Sequence, residues 1–232
     1  SEMPNADPVQ KLYRLYVKIN DEIEKEKAAN PEGESALEKE GREWFRRLEQ
    51  GDPRALELLK LTTKQSLQEF KRVYKLLGSE YEYYLGESFY LPMLPQIIRA
   101  MQKKNVATKD EREAVVVEFP EGKNIKNLVI QKSDGASLYS TRDLATLIAR
   151  TAWFKPDKVL YVVGADQKDY FRQVFGAFDA FVGKDAPVVE HTYFGTVSLP
   201  EGKMSTRKGR VVFLEDVLNE AIARAKNKIG ET

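Results

Sequence analysis

The chain has 232 residues, with 37 lysines and arginines against 36 aspartates and glutamates, a formal net charge of +1. That balance excludes a uniformly basic nucleic-acid wrapper and a highly acidic disordered tail. A composition of 42% hydrophobic and 31% charged residues fits a soluble globular fold of one large domain or two small ones. There is no cysteine and a single histidine, His191, so disulfides, thiolate metal sites, cysteine nucleophiles and histidine-pair metal sites are excluded, as is Ser-His chemistry needing a second imidazole. No apolar run reaches the ~18 residues of a membrane span, and Ser1-Glu2-Met3 is not a signal peptide. The expected compartment is a soluble, reducing cytoplasm.

In chain order, the first third reads as helix. Asp7-Pro8 supplies an N-cap followed by proline, and Leu12, Leu15, Ile19 and Ile23 fall on one face. Asn30-Pro31-Glu32-Gly33 stops this helix, and Ser35-Ala36-Leu37-Glu38 has the form of a capping box that opens a second. Gly51-Asp52-Pro53 ends that one and predicts a short third helix. Leu67, Phe70, Tyr74 and Leu77 mark a fourth, closed by Gly78. The surplus of acids between residues 21 and 50 reads as a solvated helical face. After about residue 113 the pattern changes. Ala114–Phe119 and Asn127–Gln131 read as a hairpin around Pro120-Glu121-Gly122, followed by a turn at Ser133-Asp134-Gly135. Then come a helix from Thr141 to about Phe154, a buried strand Val159–Val163, a helix from about Gln167 to Phe181 and a strand Val188–Leu199. A cation-rich loop Lys203–Arg210 and a helix from about Glu215 to Ile229 finish the chain. Helices alternating with strands favour a parallel sheet with crossover helices. The boundary between the helical and α/β regions falls within 78–95.

Four stretches can carry chemistry. Gly202-Lys203-Met204-Ser205-Thr206-Arg207-Lys208-Gly209-Arg210 combines glycines, closely spaced cations and two hydroxyls. Such a loop suits a polyphosphate, whose charge ammonium and guanidinium groups neutralise; a basic surface loop without a ligand is the plain alternative. The Gly-x₄-Gly-Lys-Ser/Thr spacing of a P-loop is missing. The strand Val159–Val163 runs into Gly164-Ala165-Asp166-Gln167, at the carboxyl end where ligands of open α/β sheets bind. Asp166 reads as a helix cap, and Gln167 is better placed for a ligand. In Tyr139-Ser140-Thr141-Arg142-Asp143, the phenol and the carboxylate are four residues apart and share a helix face. Together they suit a cationic ligand, since a carboxylate accepts a guanidinium as a planar fork; an N-terminal helix acid favoured by the macrodipole is the alternative. Glu87, in Gly86-Glu87-Ser88-Phe89-Tyr90, is an acid in an aromatic setting or simply a helix-start residue.

Taken together these residues resemble a known family. Lys203-Met204-Ser205-Thr206-Arg207-Lys208-Gly209 is similar to the KMSKS-type signature of class I aminoacyl-tRNA synthetases, in the arginyl-tRNA synthetase form. Lys132-Ser133-Asp134-Gly135, Tyr139–Asp143, Val162–Gln167 and Phe194-Gly195 follow in that family's order, and Gly86–Tyr90 and the stretch from Asp7-Pro8 to Tyr16 also fit. The resemblance covers nearly the whole chain. It implies the second half of a Rossmann-type α/β parallel-sheet catalytic domain with a largely helical inserted region. On that basis residues 1–85 are the helical inserted region, 86–200 the partial Rossmann-like catalytic domain with its β-hairpin, and 201–232 the KMSKS-type loop and following helix.

The implied activity is arginine–tRNA ligation: arginine is activated by ATP to the adenylate and passed to a tRNA 3′ end. The resemblance gives the guanidinium to Asp143 and Glu87 with Tyr139 packed beside it, and the amino-acid head or adenylate to Gln167. It places Lys203, Ser205 and Arg207, with Lys208 alongside, on the ATP phosphates, counts Met204 among the ATP-binding residues, and puts His191 and Phe194 close to the adenine, with a structural role preferred for His191. No protein nucleophile, metal ligand or prosthetic group is required, and Mg²⁺ arrives with ATP as substrate. The chain departs from the family in having no HIGH-type motif, no helical anticodon-binding domain after the last helix, and Tyr170 where a histidine is usual. A fragment inactive on its own is therefore expected, self-associating through the edge that truncation exposes. The alternatives are a non-catalytic fragment or paralogue that binds tRNA or a protein, and an unrelated α/β nucleotide-binding domain.

Overall fold

The computed structural model describes residues 8–31, 33–122, 124–195, 198–199, 202–203 and 211–230. The elements, in chain order, are helices α1 (Pro8–Ala29), α2 (Ala36–Glu49) and α3 (Pro53–Leu76), then a 3₁₀ helix (Glu87–Met93) running into α4 (Leu94–Lys103). The strands β1 (Thr108–Lys109), β2 (Val115–Val117) and β3 (Leu128–Gln131) follow, then α5 (Tyr139–Phe154), β4 (Lys158–Gly164), α6 (Lys168–Val182) and β5 (Val188–Phe194). Last come β6 (Ser198–Leu199), β7 (Gly202–Lys203) and α7 (Leu214–Gly230). They gather into two compact units, one of Ser1–Glu82 with Val197–Thr232 and one of Tyr83–Thr196. The C-terminal helix thus clusters with the first three, where the sequence reading treated 201–232 as a separate segment.

In the helical unit, the turn from α1 to α2 is fastened by Ser35, which is 2% exposed. Its hydroxyl donates to Glu26 Oε2 at 2.6 Å and accepts from the backbone N of Glu38 at 3.2 Å. The hydroxyl and the Leu37 N–H hold the Glu26 carboxyl below its ordinary range. Asp52 caps α3 through the N–H groups of Arg54 and Ala55, 3.0 and 2.9 Å away. The two helices expected after Gly51 are one helix of 24 residues. No glycine or proline interrupts it after Pro53, and the Thr62 hydroxyl bonds back to the carbonyls of Leu58 and Leu59 within the helix. Arg72 on α3 ties α7 down, with Nη1 lying 2.6 Å from Glu215 Oε1.

In the α/β unit, β1, β2 and β3 form an antiparallel sheet with a bulge between Val115 and Val116. The hairpin was expected; β1 was not, being only two residues long. β4 and β5 pair in parallel from Lys158↔Val188 to Gly164↔Phe194, joined by α6 as a crossover. The fold is therefore mixed α/β with a parallel pair, as the residue pattern implies. One face of that pair, carrying Val159, Tyr161 and Val189, packs on the core built from Met101, Val117, Ile130, Leu147, Val174 and Phe178. The other face shows Leu160, Val162, Val188 and Phe194 to solvent. The expected strand Val188–Leu199 is broken. β5 stops at Phe194, Gly195 follows, and β6 turns onto β7 in a separate antiparallel pair; a glycine with no side chain to pack weakens a strand at that point. The 3₁₀ helix and α4 were not foreseen, because Pro92 and Pro95 obscure the apolar periodicity. Among the described residues no helix is long and apolar enough to cross a membrane.

Candidate arginine-binding site

The first turn of α5 is pinned to the sheet beneath it. The hydroxyls of Ser140 and Thr141 donate to the carbonyls of Val129 and Ile130 on β3. The Leu138 N–H donates to Thr141 Oγ1 at 2.9 Å, an N-terminal cap made by a side chain inside the helix. With Ser140 and Thr141 facing the sheet, Tyr139, Arg142 and Asp143 are fixed on the neighbouring faces.

Arg142 is buried, and its Nε lies 3.3 Å from Glu87 Oε2 on the 3₁₀ helix. Its guanidinium carbon sits 4.8 Å from the ring centre of Tyr139, a cation–π contact. Tyr139 itself is 70% exposed. Asp143 is half-buried, and its Oδ2 accepts a hydrogen bond from the hydroxyl of Tyr170 on α6. Burial pushes the Asp143 carboxyl above its ordinary range, opposed by the Tyr170 hydroxyl and by the positive charges of Arg142 and Arg150. The Tyr170 phenol is raised as well, by burial first and then by its bond to Asp143, with the Asp143 and Glu87 charges adding to the effect. Glu87, Tyr139, Arg142, Asp143 and Tyr170 thus form one cluster of acids, guanidinium and phenols. One turn pair further along α5, Arg150 donates to the hydroxyl of Tyr90 at 3.1 Å and to the Leu85 carbonyl at 3.3 Å, fastening the 3₁₀ segment to the helix.

The remaining expected residues lie elsewhere. Gln167 is exposed at the carboxyl end of β4, in the 3₁₀ turn Ala165–Gln167 that leads into α6. It stands three residues before Tyr170, on the same side of the helix start. Phe194 is exposed at the matching end of β5, level with Gly164. His191 points inward. Its Nε2 donates to the Val163 carbonyl at 3.0 Å, and its ring lies 5.2 Å from that of Phe171. Its Nδ1 is buried with no hydrogen-bond partner among the described residues. Lys203 is in β7, but its side chain lies outside the described residues, as do Met204, Ser205, Arg207 and Lys208 entirely. Arg142 and the hydrogen bond from Tyr170 to Asp143 were not singled out from the sequence. The only signal for Arg142 was its place three residues after Tyr139.

A family model described as "tRNA synthetases class I (R), catalytic domain" matches residues 2–232. The chain belongs to this family of class I arginyl-tRNA synthetases. An arginine–tRNA ligase from Halothermothrix orenii is 44% identical over 226 residues, covering 97% of this chain and 38% of that protein. One from Clostridioides difficile is 42% identical over 228 residues, covering 98% of this chain and again 38% of that protein. Among solved structures, arginyl-tRNA synthetase from Plasmodium falciparum aligns with a TM-score of 0.69 at 25% identity, over 93% of this chain and 38% of that one. This arginyl-tRNA synthetase catalytic-domain chain thus spans 38% of the length of the curated relatives named. The parallel pair with its crossover helix is part of the class I catalytic domain.

Proposed function

We propose that the chain is the part of an arginine–tRNA ligase that grips the arginine side chain and brings a cation-rich loop to ATP. One observation carries this reading: at the start of α5 a guanidinium, that of Arg142, already lies between the Glu87 carboxylate and the Tyr139 ring, with the Asp143 carboxylate next along the helix. Asp143 Oδ1 accepts no hydrogen bond from the described residues, and so is open to a second guanidinium. Glu87 shares its charge with Arg142 and adds to the negative field around the ligand.

In the reaction this implies, the arginine carboxylate attacks the α-phosphorus of ATP and pyrophosphate leaves; a tRNA hydroxyl then displaces AMP from the adenylate. The chain supplies no nucleophile. Asp143, Glu87 and Tyr139 hold the side chain, Gln167 and Phe194 line the strand ends toward the adenylate, and Lys203, Ser205 and Arg207 offset charge on the leaving phosphates. Mg²⁺ accompanies ATP as part of the substrate.

Calorimetric titration with arginine and with citrulline, its uncharged near-isostere, tests the site. Arginine is expected to bind about tenfold or more tightly, since only the cation completes a charge-assisted pair. Equal affinities would refute recognition by carboxylates. Arginine-dependent pyrophosphate exchange by the chain alone is expected to be absent or nearly so. Parallel strand pairs are ordinarily covered on both faces, and the exposed face of β4 and β5, apolar at Leu160, Val162, Val188 and Phe194 beside the Lys158–Glu190 ion pair, supports self-association of this chain. Sedimentation of the wild type and of Val162→Lys checks it: the wild type is expected to associate with rising concentration and the variant to remain monomeric.

A further inference from the structure

We infer that Tyr170 is a positioning residue of this site: its hydroxyl orients the Asp143 carboxylate so that the second carboxylate oxygen is presented to the substrate guanidinium. The inference rests on the reading of Asp143 as the acceptor of the arginine side chain.

Asp143 is faced by groups from three elements, with a fourth acting on its donor. Arg142 and Arg150 share its helix, Tyr170 comes from α6, Tyr161 from β4, and Glu87 acts on the Tyr170 phenol from the 3₁₀ helix. Of these, only Tyr170 hydrogen-bonds the carboxylate. The phenol is itself held. Its ring packs edge-on against Phe171 at 5.2 Å, and Phe171 is 4% exposed, wedged among the rings of Tyr161, Phe175 and His191. With Oδ2 taken by a rigid donor, the plane of the carboxylate is set jointly by α5 and α6, and Oδ1 is left as the acceptor. Orientation before binding lowers the ordering entropy that the ligand must overcome.

The choice of donor matters chemically. Burial and the neighbouring acids keep the Tyr170 phenol protonated well above neutral pH. It therefore gives a hydrogen bond to Asp143 without bringing a positive charge that would compete with the ligand for the same carboxylate. An imidazole in that position would become such a competitor as pH falls through about 6.5.

The test is arginine titration of the chain between about pH 5 and pH 8, using wild type, Tyr170→Phe, Tyr170→His and Asp143→Asn, with circular dichroism to verify folding. Tyr170→Phe is expected to weaken arginine binding about tenfold, the loss of one hydrogen bond to a charged group. It should also move the pH midpoint of binding upward, because a donor that lowers the Asp143 pKa is gone. A purely packing role for the ring would move neither. Tyr170→His returns an N–H donor and is expected to add an inflection near the imidazole pKa; this arm decides the matter if the phenylalanine variant does not fold. Unchanged affinity and midpoint in Tyr170→Phe, or no added inflection in Tyr170→His, with arginine binding lost in Asp143→Asn, overturns the positioning role alone. Wild-type affinity in Asp143→Asn, or no arginine binding by the wild type, overturns the underlying reading as well.

Discussion

Asp143→Asn is expected to melt at a higher temperature than the wild type at pH 7 while binding arginine at least about a hundredfold more weakly. Burial raises the Asp143 carboxyl above its ordinary range even against the Tyr170 hydroxyl and two arginines. A raised pKa means that the native state holds this proton more tightly than the unfolded chain does. Stability from this group is thus greatest below the unfolded pKa of about 3.9 and falls as pH rises through the folded value. At neutral pH the ionised carboxylate is a net liability to the fold. Asparagine removes the charge but keeps a carbonyl oxygen for the Tyr170 hydroxyl. Asp143 is the fifth residue of α5, beyond the first turn where the macrodipole would favour a negative charge, so little is lost there. Differential scanning calorimetry at neutral pH and at about pH 3 reads the sign directly: the stabilisation should be present at the first and absent at the second. A variant that melts lower at neutral pH would mean that Arg142 and Arg150 more than offset the burial of the charge. Such stabilisation at the expense of binding is the usual mark of a residue kept for function.

The elements that could be read from the sequence are those whose signals are local. Pro8 after an N-cap position, the Ser35 capping box and the apolar run Val159–Val163 each carry their own information, and α1, α2 and β4 begin or lie close to where they should. The errors arise where local signals compete. Nothing between Pro53 and Leu76 breaks a helix, yet Gly51-Asp52-Pro53 and the separate apolar run Leu67, Phe70, Tyr74 and Leu77 predict two. Pro92 and Pro95 obscure the apolar spacing, yet Pro92 sits inside the 3₁₀ helix and Pro95 in the first turn of α4. The site divides the same way. Tyr139 and Asp143 are legible because four-residue spacing on one helix is a local fact. That Arg142 turns inward to Glu87 is not, because an arginine on a helix is by default solvated and its partner lies 55 residues back. That Tyr170 meets Asp143 depends on how α5 packs on α6, a contact 27 residues long in sequence that no periodicity records.

The second large effect lies behind the site. Tyr90→Ala is expected to cost about 3–5 kcal/mol of the stability of the α/β unit, the range for truncating a fully buried aromatic. Tyr90 has no exposed surface, and it packs with Leu94, Ala145 and Ala149 between the 3₁₀ helix, α4 and α5. Its ring is stacked with Trp153 at 6.0 Å and 20° and meets Phe89 edge-on at 5.3 Å. Its hydroxyl accepts from Arg150, which also reaches the Leu85 carbonyl. Tyr90→Phe separates the two contributions. It keeps the ring and loses only the acceptor, so a loss of about 1–2 kcal/mol is expected. Urea unfolding of both variants gives the comparison. Glu87 belongs to the same short helix, three residues before Tyr90, and among the described residues its carboxylate pairs only with Arg142. Once the Tyr90 ring is removed, that helix loses its anchor on α5. Arginine affinity should then fall in Tyr90→Ala, even at temperatures where the protein remains folded, and stay near the wild-type value in Tyr90→Phe. Equal affinity in the two variants would show that the Arg142 pair alone suffices to position Glu87.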